Sequence, residues 1–461
     1  MSAEDRLPDG LLLAYYGDDF TGSTDALEAM TAAGLPTVLF LEPPTPDAWA
    51  RLPGLLARFP DARCVGLAGS SRGRDPAWMN AHLPAAFDAL AGLGAPILQY
   101  KVCSTFDSSP AIGSIGKAID LGVSRMPGHW SPCVVGAPRL GRFQVFGNLF
   151  ALAAGVGHRL DRHPTMSRHP VTPMDEADLT RHLARQTTRP IALIDMLALR
   201  RGRAEPPGRT EGDEVPVVFV DVVDEPTLAE AGRLVWENRG AGLFSASSSG
   251  LDYALTAWWR ARGWLSEAPG LPAAAAVPAI AAVSGSCSPV TAGQLRWARA
   301  NGFVTERLDL ARALANTTGA AEIERAARVA SDAIRAGRSA IVFSAMGPDD
   351  PAVTGFDAIA ARAGLRREEA ARQVGQCLAG VMRGILEQVS PQRIVVAGGD
   401  SSGEVASALG IEALTAQAAI APGAPLCRAW SADPDRDGLE IVLKGGQMGA
   451  EDFFGAVLGE G

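Results

Sequence analysis

Short apolar runs separated by helical stretches set the first bound on what this chain can fold into. Leu11–Tyr16, Thr37–Leu41, Cys64–Ala68, Ile97–Val102 and Cys133–Gly136 read as strands, with Asp25–Ala33 and Ala77–Leu90 as helices between them. Val217–Val222 and Gly242–Ala246 resume the series beyond a polar, Gly- and Pro-bearing stretch at Arg200–Val215. Strands this short and apolar suit burial on both faces, and a helix between neighbours supplies the crossover that parallel pairing needs. The pattern predicts an α/β fold with mainly parallel sheets covered by helices. Ser23 or Thr24 is the expected cap of the first helix, and Gly34 its stop.

A chain of 461 residues is too long for one ordinary core. Around residues 265–278 the texture changes to Ser266-Glu267-Ala268-Pro269-Gly270-Leu271-Pro272 and an alanine run, which reads as a linker. A second series follows. Its strands are Ile280–Ser284, Phe303–Leu308, Ala340–Ser344 and Arg393–Ala397, and its helices are Pro289–Ala300, Ala320–Ala336 and Arg366–Val389. The expected organisation is two α/β domains, residues 1–265 and 279–461, joined by a linker at 266–278, with an active site in the cleft between them.

The net charge of −9 and the lack of a basic block argue against nucleic-acid binding. Apolar stretches are broken by Pro or Gly, so no membrane span is expected. The six scattered cysteines form no Cys-x-x-Cys pair, which argues against a zinc site or disulfide frame and fits a reducing cytoplasm.

In open α/β sheets, ligands bind beyond the carboxyl ends of strands. The first such end carries Asp18 and Asp19, like charges at the edge of a core, which need a compensating cation, proton or ligand hydroxyl. The second carries Lys101-Val102-Cys103-Ser104-Thr105-Phe106-Asp107, and the third Arg139 and Arg142. Lys101 stands out because the chain has only three lysines, Lys101, Lys117 and Lys444. A fourth polar turn is Ser245–Gly250. This mix suits a small, hydroxylated, anionic ligand, with Arg and Lys pairing its carboxylate and Asp, Ser and Thr taking its hydroxyls. His169 is a further candidate cleft residue. Plain βα turns also favour Asp, Ser, Thr and Gly.

The second half has three Gly/Ser turns after strands: Ser284–Pro289, Gly398–Gly403 and Lys444–Gly449. Glycines let backbone amides approach an anion, and a helix N-terminus favours negative charge. Three such turns in one domain point to a nucleotide with its phosphates. Neither a P-loop nor the usual dinucleotide fingerprint is present.

These motifs identify a resemblance. Tyr16-Gly-Asp-Asp-Phe-Thr-Gly-Ser-Thr-Asp25 resembles the "ADDFTGATD" opening of the four-carbon acid sugar kinases. Lys101…Ser104-Thr105 resembles their K-x-D-S-T segment, and Pro138–Arg142 with Gly147 their P-x-x-G-R…G stretch. Gly285–Ser288, Gly398–Gly403 and Leu443–Gly446 are similar to their nucleotide-domain signatures. The resemblance implies a two-domain, cytoplasmic, ATP- and Mg²⁺-dependent kinase, with a homodimer allowed. Its substrate would be a tetronate, a 3-oxo-tetronate or a branched oxo-acid such as 3-oxo-isoapionate. Asp18, Asp19, Thr21, Lys101, Ser104, Thr105, Arg139, Arg142 and His169 would face the acid sugar. Ser286, Gly398, Gly399, Asp400, Ser401, Ser402, Lys444, Gly445 and Gly446 would face ATP; the metal ligands stay unassigned.

The family run K-x-D-S-T-L-R-G carries Cys103 at its third position and Asp107 at its arginine here. That exchange shifts local charge by about two units and points to a branch acting on another acid, such as the branched oxo-acid. Phosphoryl transfer needs alignment, charge neutralisation and relief of the attacking hydroxyl's proton, with Asp19 or Asp18 as base and Lys101 as cationic partner. Two alternatives remain at this stage: a haloacid-dehalogenase-like phosphatase, which wants Asp-x-Asp-x-Thr, and a non-catalytic sensor of sugar acid and nucleotide.

Overall fold

The computed structural model describes residues 6–41, 46–153, 155–168, 171–202, 204–208, 214–267 and 270–459. The chain divides into two compact units, Met1–Gly270 and Leu271–Gly461.

The first unit is built on five parallel strands in the order β11-β4-β1-β3-β2: β1 (Leu13–Gly17), β2 (Thr37–Leu41), β3 (Cys64–Ala68), β4 (Ile97–Lys101) and β11 (Leu243–Ser247). All five are buried on both faces, including the polar Gln99 and Lys101 of β4 and Ser245 and Ser247 of β11. Tyr16 stacks on Tyr100 with ring centroids 6.1 Å apart and meets Phe87 edge-on at 5.9 Å. Glycine is required beneath these rings: a Cβ on Gly66 would lie 2.1 Å from Tyr15, and one on Gly69 2.1 Å from Tyr16.

Two of the expected strands belong elsewhere. The run read as Cys133–Gly136 is a short strand, β5 (Ser131–Cys133), and β10 (Val217–Val220) pairs with it and with β9 (Ile191–Ile194) in a separate parallel sheet. Serine side chains tie this sheet to β11. Ser131 Oγ donates to Phe244 O at 2.9 Å, Ser245 Oγ to Pro132 O at 2.9 Å and Ser248 Oγ to Val135 O at 2.8 Å. Ser247 Oγ accepts from Val134 N–H at 2.8 Å. Ser245, Ser247 and Ser248 of the fourth polar turn therefore spend their hydroxyls on structure, whereas Ser249 Oγ is buried without a hydrogen-bond partner among the described residues. An antiparallel meander, β6 (Arg142–Val145), β7 (Asn148–Ala153) and β8 (Val156–Arg159), completes the unit.

In the second unit β18-β15-β12-β14-β13 run parallel: β12 (Ile280–Ser284), β13 (Val304–Arg307), β14 (Ala340–Phe343), β15 (Arg393–Ala397) and β18 (Glu440–Lys444). An unexpected hairpin, β16 (Ile411–Ala421) and β17 (Ala424–Ser431), adds antiparallel strands beside β18. Ile280, Leu295, Ile341, Val395, Val442 and Phe454 are buried together as its core. From residue 271 on, the segment read as a linker bonds into this unit: Ala419 N–H donates to Pro272 O at 2.8 Å and Arg393 Nη2 to Ala275 O at 3.0 Å. Among the described residues no helix is long and apolar enough to cross a membrane.

Candidate active site

Four strands of the first unit end level. Gly17 is paired with Ala68 and Lys101, and Lys101 with Ser247, so the turns after β1, β3, β4 and β11 leave the sheet side by side. Asp18 follows directly and is buried, 3 % exposed. Asp19, not Ser23 or Thr24, caps the helix Phe20–Ala32: its Oδ1 accepts from Gly22 N–H at 2.7 Å. The helix starts earlier than its apolar spacing implies because a carboxylate at the β-to-α transition satisfies the orphan amides better than a hydroxyl one turn later. Thr21 Oγ1 donates to Asp19 Oδ2 at 2.9 Å.

The compensating cation that two adjacent carboxylates require is Arg72, which sequence reasoning missed. It grips Asp18 with two donors, Nη2 to Oδ1 at 2.6 Å and Nε to Oδ2 at 3.1 Å, and reaches Asp19 Oδ2 with Nη1 at 2.8 Å. Its turn is fixed by Arg72 N–H donating to Asp18 O at 2.9 Å and by the Ser71–Tyr100 hydroxyl pair at 2.8 Å. Burial pushes the Asp18 carboxyl up to about 6; Arg72 pulls it down and Asp19 adds to the rise. A carboxyl that titrates near neutral pH in a strand-end cluster has the properties of a proton acceptor.

Lys101 is buried. Its ammonium lies 3.3 Å from Asp25 and donates to Val102 O at 3.2 Å. Asp252 sits close by, held at 3.5 Å by Gln99 Nε2, and burial lifts its carboxyl to about 8 against the pull of Lys101. Asp25 and Asp252 each keep one buried carboxyl oxygen without a hydrogen bond. In the turn after β4, Phe106 adopts φ +54, a left-handed conformation that is costly for a non-glycine residue. This presents Asp107, whose Oδ1 accepts from Thr105 Oγ1 at 2.5 Å and whose charge reinforces that of Arg72. Ser104 is half-buried beside them.

Arg142 donates only to the carbonyls of Leu140 and Gly141, at 3.0 and 3.3 Å, and its Nε is buried with no partner. Among the described residues it has no carboxylate partner, which leaves a cation open to an anionic ligand. Arg139 is exposed, its guanidinium 5.9 Å from the Tyr253 ring. His169 lies outside the described residues.

In the second unit Ser284 pairs with Ala397, and Ala397 with Lys444, so the three glycine turns also leave from one level. They converge. A Cβ on Gly285 would lie 2.0 Å from Ser401 Oγ, and one on Gly446 2.8 Å from Ser286 Oγ. Gly398, at φ +125, opens the helix Gly399–Ala408, and Ser402 Oγ bonds back to its carbonyl at 2.7 Å. Asp400 lies in this helix, but its side chain is outside the described set. The helix has no side-chain cap, so its first amides keep their capacity for an anion. Lys444 is fully buried beneath, donating to Thr291 Oγ1 at 3.1 Å and to Gly445 O at 2.9 Å, with the Phe453 ring 5.5 Å away. Burial lowers its ammonium to about 8.

Residues 13–255 match the family of sugar-binding N-terminal domains, and residues 281–454 that of nucleotide-binding C-terminal domains. A 3-oxo-isoapionate kinase of Paraburkholderia graminis is 68 % identical over 98 % of this chain and 94 % of its own. A 3-oxo-tetronate kinase of Cupriavidus necator is 32 % identical over 97 % and 96 %. A Salmonella typhimurium protein of known crystal structure shares the fold at a TM-score of 0.71 and 24 % identity, over 96 % of this chain and 98 % of that one. With its charged strand ends in the half that matches the sugar-binding family and its glycine turns in the half that matches the nucleotide-binding family, the chain belongs to the four-carbon acid sugar kinase family and is a sugar-acid kinase.

Proposed function

We propose that this protein transfers the γ-phosphoryl group of ATP to a hydroxyl of 3-oxo-isoapionate or a closely similar branched oxo-acid. The near-full-length similarity to the Paraburkholderia graminis kinase supports the substrate. Membership of a kinase family replaces the phosphatase and sensor alternatives. The observation that carries the chemistry is Asp18, a buried carboxyl lifted to about 6 at the level strand ends.

In this reading Asp18 accepts the proton of the attacking hydroxyl. Asp19, already committed to the helix cap and to Arg72, orients that hydroxyl. Arg72 holds both carboxylates in place. Arg142 takes the substrate carboxylate, and Lys101 contributes positive field from below. The glycine turns bind the triphosphate through backbone amides, where any side chain would fill the cradle. Mg²⁺ neutralises phosphate charge when bound. Among the described residues no three His, Cys, Asp or Glu side chains cluster to hold a metal ion.

An ADP-release assay across 3-oxo-isoapionate, 3-oxo-tetronates and tetronates tests the reading. The highest kcat/KM is expected with 3-oxo-isoapionate; turnover confined to unbranched tetronates overturns it.

A further inference from the structure

The second unit contains a cavity of about 550 Å³ that the glycine turns do not account for. One wall is Pro289, Ala292 and Arg296, a stripe along the helix Pro289–Ala300 that begins just after Ser286. The other wall is the turn after β14, with Met346, Pro348 and Asp349. Ser284 pairs with Phe343, so this turn leaves the sheet at the same level as the Ser286 turn. The opposite face of the helix is already occupied: Thr291 Oγ1 donates to Gly446 O at 3.0 Å and Gln294 Nε2 to Met448 O at 3.0 Å.

The wall after β14 is rigid. Asp350 is buried, receives two donors from Arg307 at 3.1 and 2.7 Å, and accepts from Met346 N–H at 2.8 Å. Gly347 adopts φ +101, and a Cβ there would press within 3.3 Å of Ala292 Cβ. A side chain at 347 would therefore be strained and would crowd the cavity. The result is a slot of ligand-pocket size with Pro289, Ala292, Met346 and Pro348 on its sides and the paired Arg307 and Asp350 also in its lining. Met and Pro are suited to the faces of a flat aromatic ring. Arg296 and Asp349 are exposed at its edge, and neither has a salt bridge among the described residues.

The geometry points to this slot as the nucleoside subsite: the base of the nucleotide lies between Pro289–Ala292 and Met346–Pro348, with its phosphates leading back to the Ser286 turn. This inference rests on the reading of the glycine turns as a triphosphate site.

Calorimetric titration of the full-length protein with a non-hydrolysable ATP analogue and, separately, with inorganic tripolyphosphate tests it. Met346→Ala and Ala292→Phe are each expected to weaken the analogue about tenfold or more while tripolyphosphate stays within about twofold of the unsubstituted protein. Ala292 is buried, so the second probe is photolabelling of the unsubstituted protein with 8-azido-ATP; the label is expected in the segment 344–350. Analogue affinity unchanged by both substitutions, equal loss of both ligands, or a label elsewhere overturns the subsite and leaves the glycine turns as they are. An unsubstituted protein that binds neither ligand overturns the triphosphate reading, and the subsite with it.

Discussion

In the proposed reading the first unit meets its ligand with side-chain charge, the second with backbone. At the ends of β1, β3 and β4, Asp18, Asp19, Asp107, Arg72 and Lys101 are packed into a space where every charge has an opposite neighbour. At the ends of β12, β15 and β18 the turns carry glycines and serines, with one lysine buried beneath. Side-chain charge offers a titratable group and fine discrimination between small acids, and it is sensitive to each partner. Backbone amides offer fixed donors that do not titrate, and they are sensitive to bulk.

The contrast can be broken most sharply at Asp18. Asp18→Asn is expected to lower kcat by roughly 10²- to 10⁴-fold while ATP-analogue affinity is unchanged; a loss below tenfold would remove Asp18 as the base. The pH profile offers the same test. Because Asp18 must be ionised to accept a proton, kcat/KM should rise with pH through about 6. On the backbone side, Gly398→Ala forces a side chain into a φ of +125. That strain costs about 1–3 kcal/mol, and relieved by a shift of the turn out of its anion-binding conformation it should weaken nucleotide binding roughly 5- to 150-fold with the sugar-acid KM unmoved. Equal effects on both ligands would erase the division of labour.

A smaller effect is expected in thermal melts. The Asp252 carboxyl is lifted to about 8 in the folded protein, so folding holds its proton more tightly than the unfolded chain does. That stabilisation is present at low pH and is lost as pH rises through 8. Asp252→Asn should therefore melt higher than the unsubstituted protein at pH 9, with the gap closing toward pH 4. The smallest signal concerns Lys444, lowered to about 8. A bound triphosphate favours its charged form, so calorimetry in two buffers should show proton uptake on ATP binding near pH 8.

Much of the scaffold was legible in the apolar runs. Thr37–Leu41, Cys64–Ala68, Ile280–Ser284 and Arg393–Ala397 are strands with the bounds their composition predicts. The β16–β17 hairpin was not legible, because Ile411–Ala421 is rich in alanine and takes its extended form from pairing, not from propensity. In the site, Asp18 and Lys101 stand out as charge at the ends of strands. Arg72 carried the same signal, in Ser70-Ser71-Arg72-Gly73 after β3. Asp25 stood only as the last letter of the opening motif, with no role attached, and Asp252 carried no signal: a carboxylate on a helix resembles a solvated one until tertiary packing turns it inward.

The serine contacts along β11 have a mechanical consequence. A ladder of amides must unzip before two strands part, whereas a hydroxyl can swivel and take a water molecule as its partner recedes. The join between the β5-β10-β9 sheet and the main sheet rests chiefly on buried side-chain hydroxyls, with one backbone bond, Ser248 N–H to Val134 O at 3.2 Å, beside them, and not on a continuous ladder. Hydrogen–deuterium exchange should find the Val134 amide, which donates to Ser247 Oγ, faster than the amides inside β11.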